Sequence, residues 1–126
     1  MGFARKICLV SLVCAALLAR PAQGLAAQQS NEARGLLPQC AAYIAGDAEV
    51  AAQMTCENTI WSILRTVEKI QLGQPDFKPP FCGKKPSVSQ AARLFVEYVN
   101  THPNALQQPA EYAVIDALKE SYPCAH

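Results

Sequence analysis

The sequence predicts an all-α protein, a small bundle of about four helices stapled by two disulfides. Apolar residues recur in several segments at the i, i+3, i+4, i+7 spacing of a helix that faces a core. No segment shows the alternation typical of a strand, and no Asn-Gly or Asp-Gly hairpin turn occurs. The 126 residues are 51% apolar and only 17% charged, so the chain can bury one core.

The first 24 residues are expected to be a secretory signal peptide. Arg5 and Lys6 precede an apolar run from Ile7 to Ala19, and Ala22-Gln23-Gly24 places small residues where a signal peptidase reads. We therefore predict cleavage near Gly24, with Ala26 as the second choice, and a periplasmic or secreted protein. The run is shorter than the roughly 20 residues that a membrane-spanning helix needs, so no stable membrane anchor is expected after processing.

Cleavage would leave four of the six cysteines, namely Cys40, Cys56, Cys82 and Cys124. An even number of cysteines in a small exported chain is typical of disulfides, and these lack the close pairs of a zinc site. Cleavage would also remove three basic residues and no acidic one, which changes the net charge from +1 to −2. This charge disfavours nucleic acid as a partner.

The first two helices lie in residues 36–73, after a flexible N-terminal leader at residues 25–35. Pro38 suits a first helical turn and Gly46 a stop, which predicts a helix over 38–45. A short turn through Ala52 then precedes a helix that begins at the N-cap Thr55 and ends at Gly73. Its buried stripe is expected to comprise Ile60, Ile63, Leu64, Val67 and Ile70.

Two further helices follow a loop at residues 74–86, hereafter the proline-rich loop, where four prolines forbid regular helix. Ser87 to Gln90 form a capping-box pattern that starts the third helix, and His102-Pro103 ends it near Asn100. Pro109 begins the fourth helix, which is predicted to end at about Ser121. The expected buried residues of these two helices are Ala91, Leu94, Phe95 and Tyr98, and Ala110, Val114, Ala117 and Leu118.

The helix order also predicts which cysteines pair. A short connection makes the third and fourth helices antiparallel, which brings Cys82, before one, beside Cys124, after the other. Cys40 then pairs with Cys56 and ties the first helix to the second. Of the three possible pairings, only this one closes both helical hairpins.

Candidate catalytic and metal-binding groups are sparse. The mature serines lie in no Gly-x-Ser-x-Gly elbow, and the only two histidines, His102 and His126, lie in a turn and at the C-terminus. A helix C-terminal cap or simple exposure explains His102 better than a role as a catalytic base does. We therefore predict no catalytic residue, no metal and no cofactor, and a binding protein rather than an enzyme.

The second half of the chain resembles the Rap/Tai family of immunity proteins, which block amidase effectors of type VI secretion. The resemblance lies in Phe81-Cys82, Val88-Ser89-Gln90, Phe95 to Val99, His102-Pro103, Ala110, Ala117-Leu118 and Pro123-Cys124, with looser matches at Leu36 to Cys40 and at Cys56. It spans about residues 35–124. It implies an all-α, disulfide-bonded periplasmic protein, often a homodimer, that binds a peptidoglycan amidase and occludes its active cleft.

The proline-rich loop is the first candidate for the partner contact, because it is stiff, aromatic and basic. Its contact residues are expected to be Asp76, Phe77, Lys78, Phe81, Lys84 and Lys85. Phe77 and Phe81 could equally cover the core. Trp61 is the second candidate, as an exposed anchor, although a position flanking the core is the favoured interpretation of this residue.

Two other functions remain open on the sequence alone. A periplasmic acid-stress chaperone of the HdeA-like type is also small, helical and disulfide-bonded, but the ten acidic residues do not cluster. An orphan domain that binds an envelope protein is the other alternative.

Overall fold

A computed structural model describes residues 31–125, which form four α-helices. They are α1 (Ala33–Ala45), α2 (Val50–Gly73), α3 (Val88–Thr101) and α4 (Ala110–Ser121), with a 3₁₀ turn at Pro103–Gln107 between the last two. The predicted fold class is thus confirmed. The expected signal peptide, its cleavage site and residues 25–30 of the expected leader lie outside the described residues. No helix among residues 31–125 has the length and apolarity needed to cross a bilayer.

Helix α1 begins at Ala33, five residues before the predicted start at Pro38. The reason is a tertiary contact, since the Ala33 amide donates to the Gln108 carbonyl at 2.8 Å and the Ala33 side chain is fully buried. Pro38 lies inside the helix on its exposed side. The predicted end is confirmed, because Gly46 has a φ of 80° and its amide donates to the carbonyls of Ala42 and Tyr43.

Helix α2 is one continuous helix of 24 residues, and Thr55 is not its N-cap. The helix begins at Val50, and the Thr55 hydroxyl donates to the Ala51 carbonyl at 2.8 Å from within the helix. The segment from Val50 to Thr55 contains no helix-breaking residue, so the helix extends toward its N-terminus until Glu49. Ile60, Leu64 and Val67 are buried as predicted, whereas Ile70 is 37% exposed and does not extend the core stripe.

Helices α3 and α4 follow the sequence patterns, except that Leu94 and Tyr98 of α3, which were expected to be buried, are half-buried. The Ser87 hydroxyl accepts from the Gln90 amide at 3.2 Å, and the Gln90 side chain accepts from the Ser87 amide at 2.9 Å, which is the predicted capping box. Phe95 is fully buried at the centre of the core. All four predicted core residues of α4 are buried, and Ala92 and Val99 of α3 join them.

Both predicted disulfides are present. Cys40 and Cys56 join α1 to α2 with their Cα atoms 5.0 Å apart, and both side chains are fully buried. Cys82 and Cys124 join the proline-rich loop to the chain after α4 with a Cα separation of 4.8 Å, and both are half-buried. The first bond is therefore part of the core, whereas the second holds a surface loop.

Candidate partner-binding surface

The proline-rich loop is attached to the bundle at three points. The Cys82–Cys124 disulfide is reinforced by a hydrogen bond from the Cys82 amide to the Tyr122 carbonyl at 2.9 Å. Phe81 packs half-buried against the core. Lys85 Nζ lies 2.8 Å from Glu68 Oε2 on α2. These anchors, together with four prolines, hold the second half of the loop in one place.

The loop exposes charge more than it exposes aromatic surface. Asp76, Lys78 and Lys84 are exposed, whereas Phe77 is half-buried. Phe81 covers the core, so the alternative interpretation holds for this residue. The loop therefore presents separated charges on a fixed backbone, and its second aromatic ring serves mainly to attach it.

Trp61 is an exposed residue of α2, and the favoured interpretation that it flanks the core is wrong. Its side chain is 56% exposed, and the Arg65 guanidinium carbon lies 5.9 Å from the centre of its ring. A cation at this distance is attracted to the ring face, by roughly 0.5–1 kcal/mol at an exposed site. Trp61 is thus a large apolar side chain held at the surface.

Two residues that sequence reasoning did not select connect Trp61 to the loop. Arg65, beside the Trp61 ring, pairs with Glu68 at 2.6 Å, and Glu68 in turn accepts from Lys85. The hydrogen bond from Lys85, supported by Arg65, holds the pKa of the Glu68 carboxyl below its ordinary value. The i, i+3 spacing of Arg65 and Glu68 predicts that these two side chains contact each other on the helix. The position of Lys85 beside them depends on the fold and could not be read from the spacing.

The predicted contact residues therefore lie at several separate places on the surface. Trp61 of α2 and Lys85 of the loop belong to one continuous surface, joined through Arg65 and Glu68 of α2. Lys78 instead lines an open groove of about 760 Å³ beside the Cys82–Cys124 disulfide, with Lys119 of α4 and three prolines, Pro79, Pro80 and Pro123. Asp76 and Lys84 are exposed elsewhere on the loop.

His102 acts as a cap at the end of α3, as the sequence predicts. Its Nδ1 lies 3.0 Å from the Tyr98 carbonyl, and its ring stacks on the Tyr98 ring with the centroids 4.2 Å apart. Glu120 is 3.8 Å from its Nε2. Burial, together with the carboxylates of Asp116 and Glu120, raises the pKa of the Tyr98 hydroxyl. These contacts hold the His102 ring beside the last carbonyl groups of α3.

Residues 31–125 contain no cluster of three or more His, Cys, Asp or Glu side chains that could hold a metal ion, and no buried charged side chain. All four cysteines of this part of the chain are in disulfides. The described surface offers a partner contacts with charged side chains, with Trp61 and with the backbone of the anchored proline-rich loop.

Comparison with known proteins identifies the family of the chain. No curated protein and no solved structure matches the chain. A family model described as Rap1a immunity proteins matches residues 8–124, which is nearly the whole sequence and includes all four helices and both disulfides. The chain therefore belongs to the Rap1a family of immunity proteins.

Proposed function

We propose that this immunity protein is exported and that it inhibits a peptidoglycan amidase effector by occluding its active cleft. Membership of the Rap1a immunity family is the observation that carries the proposal, because an immunity protein acts by binding a partner effector. It favours an inhibitor over an enzyme and over an acid-stress chaperone. The proposal that the effector is an amidase rests on the resemblance of the second half of the chain to the Rap/Tai proteins.

Export is supported by the N-terminal sequence and by the cysteines. The family match begins at residue 8, inside the apolar run of the expected signal peptide. Two disulfides suit an oxidising compartment such as the periplasm, where the substrate of a peptidoglycan amidase also lies. The exported chain is expected to begin at Leu25.

We assign the effector contact to the proline-rich loop. The loop is fixed by a disulfide, by Phe81 and by the Lys85–Glu68 ion pair, so it loses little entropy when it docks. Lys78, Lys84 and Asp76, which are exposed, would then set the specificity for a cleft of complementary charge.

Periplasmic co-expression with a secreted amidase encoded beside the gene tests this proposal. The chain is expected to prevent lysis and to form a complex with the amidase at nanomolar to micromolar Kd. Reversing two exposed lysines other than Lys85, Lys78→Glu with Lys84→Glu, should weaken the complex at least tenfold, since two favourable charge contacts become repulsive.

Arg93→Glu with Lys69→Glu is the matched control, because it makes the same charge change at two exposed helix positions outside the loop. This variant should protect as the unaltered chain does. Absence of both protection and complex with the unaltered chain would refute the amidase target. Equal loss in both double variants would refute the loop as the contact.

A further inference from the structure

The open groove beside the Cys82–Cys124 disulfide, hereafter the lysine groove, differs in charge from other grooves of the described surface. Its volume is about 760 Å³, and the charged side chains that line it are Lys78 and Lys119. Four other grooves among residues 31–125 each contain at least one glutamate and neither lysine nor arginine. The lysine groove is thus a local basic site on a chain whose net charge is −2 after the expected cleavage.

Both lysines can bind a further carboxylate. Lys78 is exposed and makes no ion pair with any of residues 31–125. Lys119 is also exposed, and its Nζ lies 3.6 Å from Asp116 Oδ1 on the same helix. Such an exposed pair contributes little to stability, and an ammonium group has three hydrogen atoms to donate. The groove therefore offers carboxylates two cationic donors, one from the loop and one from α4.

The rest of the lining is apolar and held in place. Pro79, Pro80 and Pro123 line the groove together with the disulfide, and the Cys124 sulfur lies 3.8 Å from the Pro79 carbonyl oxygen. Proline has no backbone N–H, so these three positions cannot donate to an added strand. Their flat rings instead suit an aromatic side chain, as when aromatic grooves bind proline-rich segments. Because the lining is already ordered, docking costs it little conformational entropy.

We propose that the lysine groove binds an extended segment of the effector in which carboxylate side chains flank an aromatic one. The carboxylates pair with Lys78 and Lys119, and the aromatic ring packs on the prolines. A basic segment would instead place like charges together. This contact rests on the proposed function, because its occupant belongs to the inhibited effector. It extends the contact surface from the proline-rich loop to α4, where Lys119 becomes a contact residue.

Peptide titration tests the chemistry of the occupant without the amidase. The probe is the peptide Gly-Glu-Phe-Glu-Gly with both termini blocked, added at low salt to the isotope-labelled, disulfide-bonded chain. We expect NMR shifts at the amides of Lys78, Lys119 and Ala125, with a Kd on the order of 1 mM. Peptides with Gln-Phe-Gln or Glu-Ala-Glu at the centre should bind about threefold more weakly, because each lacks one of the two recognised features.

Variants of the chain connect the groove to the effector. Lys119→Gln should weaken binding of both the peptide and the amidase about threefold, since it removes one exposed charge contact. Asp116→Asn should instead strengthen both about twofold, because the carboxylate that competes for Lys119 is gone. Lys69→Gln, the same substitution at an exposed position of α2 that does not line the groove, should change neither. Far-ultraviolet circular dichroism verifies that each variant is folded.

The outcomes separate this contact from the proposed function. An amidase complex that Lys119→Gln leaves unchanged would overturn the groove as a contact while the amidase target stands. Equal binding of the three peptides, or shifts only outside the groove, would overturn the acidic and aromatic chemistry. So would losses of equal size in Lys119→Gln and Asp116→Asn, since both would then act through the packing of α4. Absence of an amidase complex with the unaltered chain would refute the proposed function, and peptide binding in that case would overturn the effector as the occupant.

Discussion

Glu68 is the residue that joins α2 to the proline-rich loop. It accepts from Lys85 across 17 positions of sequence and from Arg65 one helical turn away. Since the group is solvent-exposed, its contribution to the free energy of unfolding is small, as for most surface ion pairs. Its structural role is instead to select one position for the end of the loop.

The Glu68 pKa should report this contact. Lys85→Met is expected to raise the pKa of the Glu68 carboxyl toward its ordinary value of 4.5, because the hydrogen bond from Lys85 is the largest cause of its lowering. Carboxyl carbon shifts measured by NMR from pH 2 to 7 provide the test, with Lys78→Met as the control. Because the folded pKa is depressed, the ion pair favours the folded state above pH 4.5 and is lost as the pH falls through the folded value. An unchanged Glu68 pKa in Lys85→Met would contradict the pairing.

At the scale of the helices, the sequence predicts ends well where a local interaction determines them. Gly46 ends α1 because its positive φ costs glycine little, and Ser87 begins α3 because its hydroxyl is within reach of the Gln90 amide. Both interactions involve residues within four positions, so the sequence contains all the information. The same holds for the buried stripe of α4.

The starts of α1 and α2 could not be predicted in this way. Ala33 is helical because its amide reaches Gln108, which lies 75 residues later and becomes a neighbour only after folding. Thr55 has the side chain of a good N-cap, yet the helix already runs through it because Val50 to Met54 are helix-compatible. Sequence patterns identify a possible cap, but the helix instead begins at Val50, where the N-cap residue Glu49 makes no side-chain hydrogen bond to the helix.

The capping box offers a test at this scale. Ser87→Ala should lower the free energy of unfolding by about 1 kcal/mol, because it leaves the Gln90 amide without its acceptor. Urea denaturation monitored by circular dichroism measures the change. Ser62→Ala, at an exposed position in the middle of α2, serves as the control and should differ from the unaltered chain by less than about 0.5 kcal/mol. Equal effects at the two serines would show that Ser87 contributes no cap.

For the whole molecule, the disulfide pairing could be predicted from the sequence, whereas the exposed contact surface could be predicted only in part. Antiparallel hairpins restrict the disulfides to one pairing, and this follows from helix order alone. Exposure is different, because it depends on how the bundle covers each helix. The sequence could not show that Phe81 packs against the core while Trp61 is left at the surface, since Phe81 belongs to a loop predicted as a contact and Trp61 to a helix beside a predicted core stripe.

The two disulfides should have separable effects on the molecule. By chain entropy they contribute up to about 3 kcal/mol for Cys40–Cys56, with a separation of 16 residues, and about 4 kcal/mol for Cys82–Cys124, with 42. Replacing either pair with alanine should therefore lower stability to urea by several kcal/mol. Only the Cys82–Cys124 replacement should accelerate amide hydrogen exchange in residues 74–86 beyond the global rate, because it frees the loop while α1 and α2 stay joined. Mass-resolved exchange of both double variants decides the matter, and a loop that exchanges equally slowly without its disulfide would mean that Phe81 and Lys85 suffice to hold it.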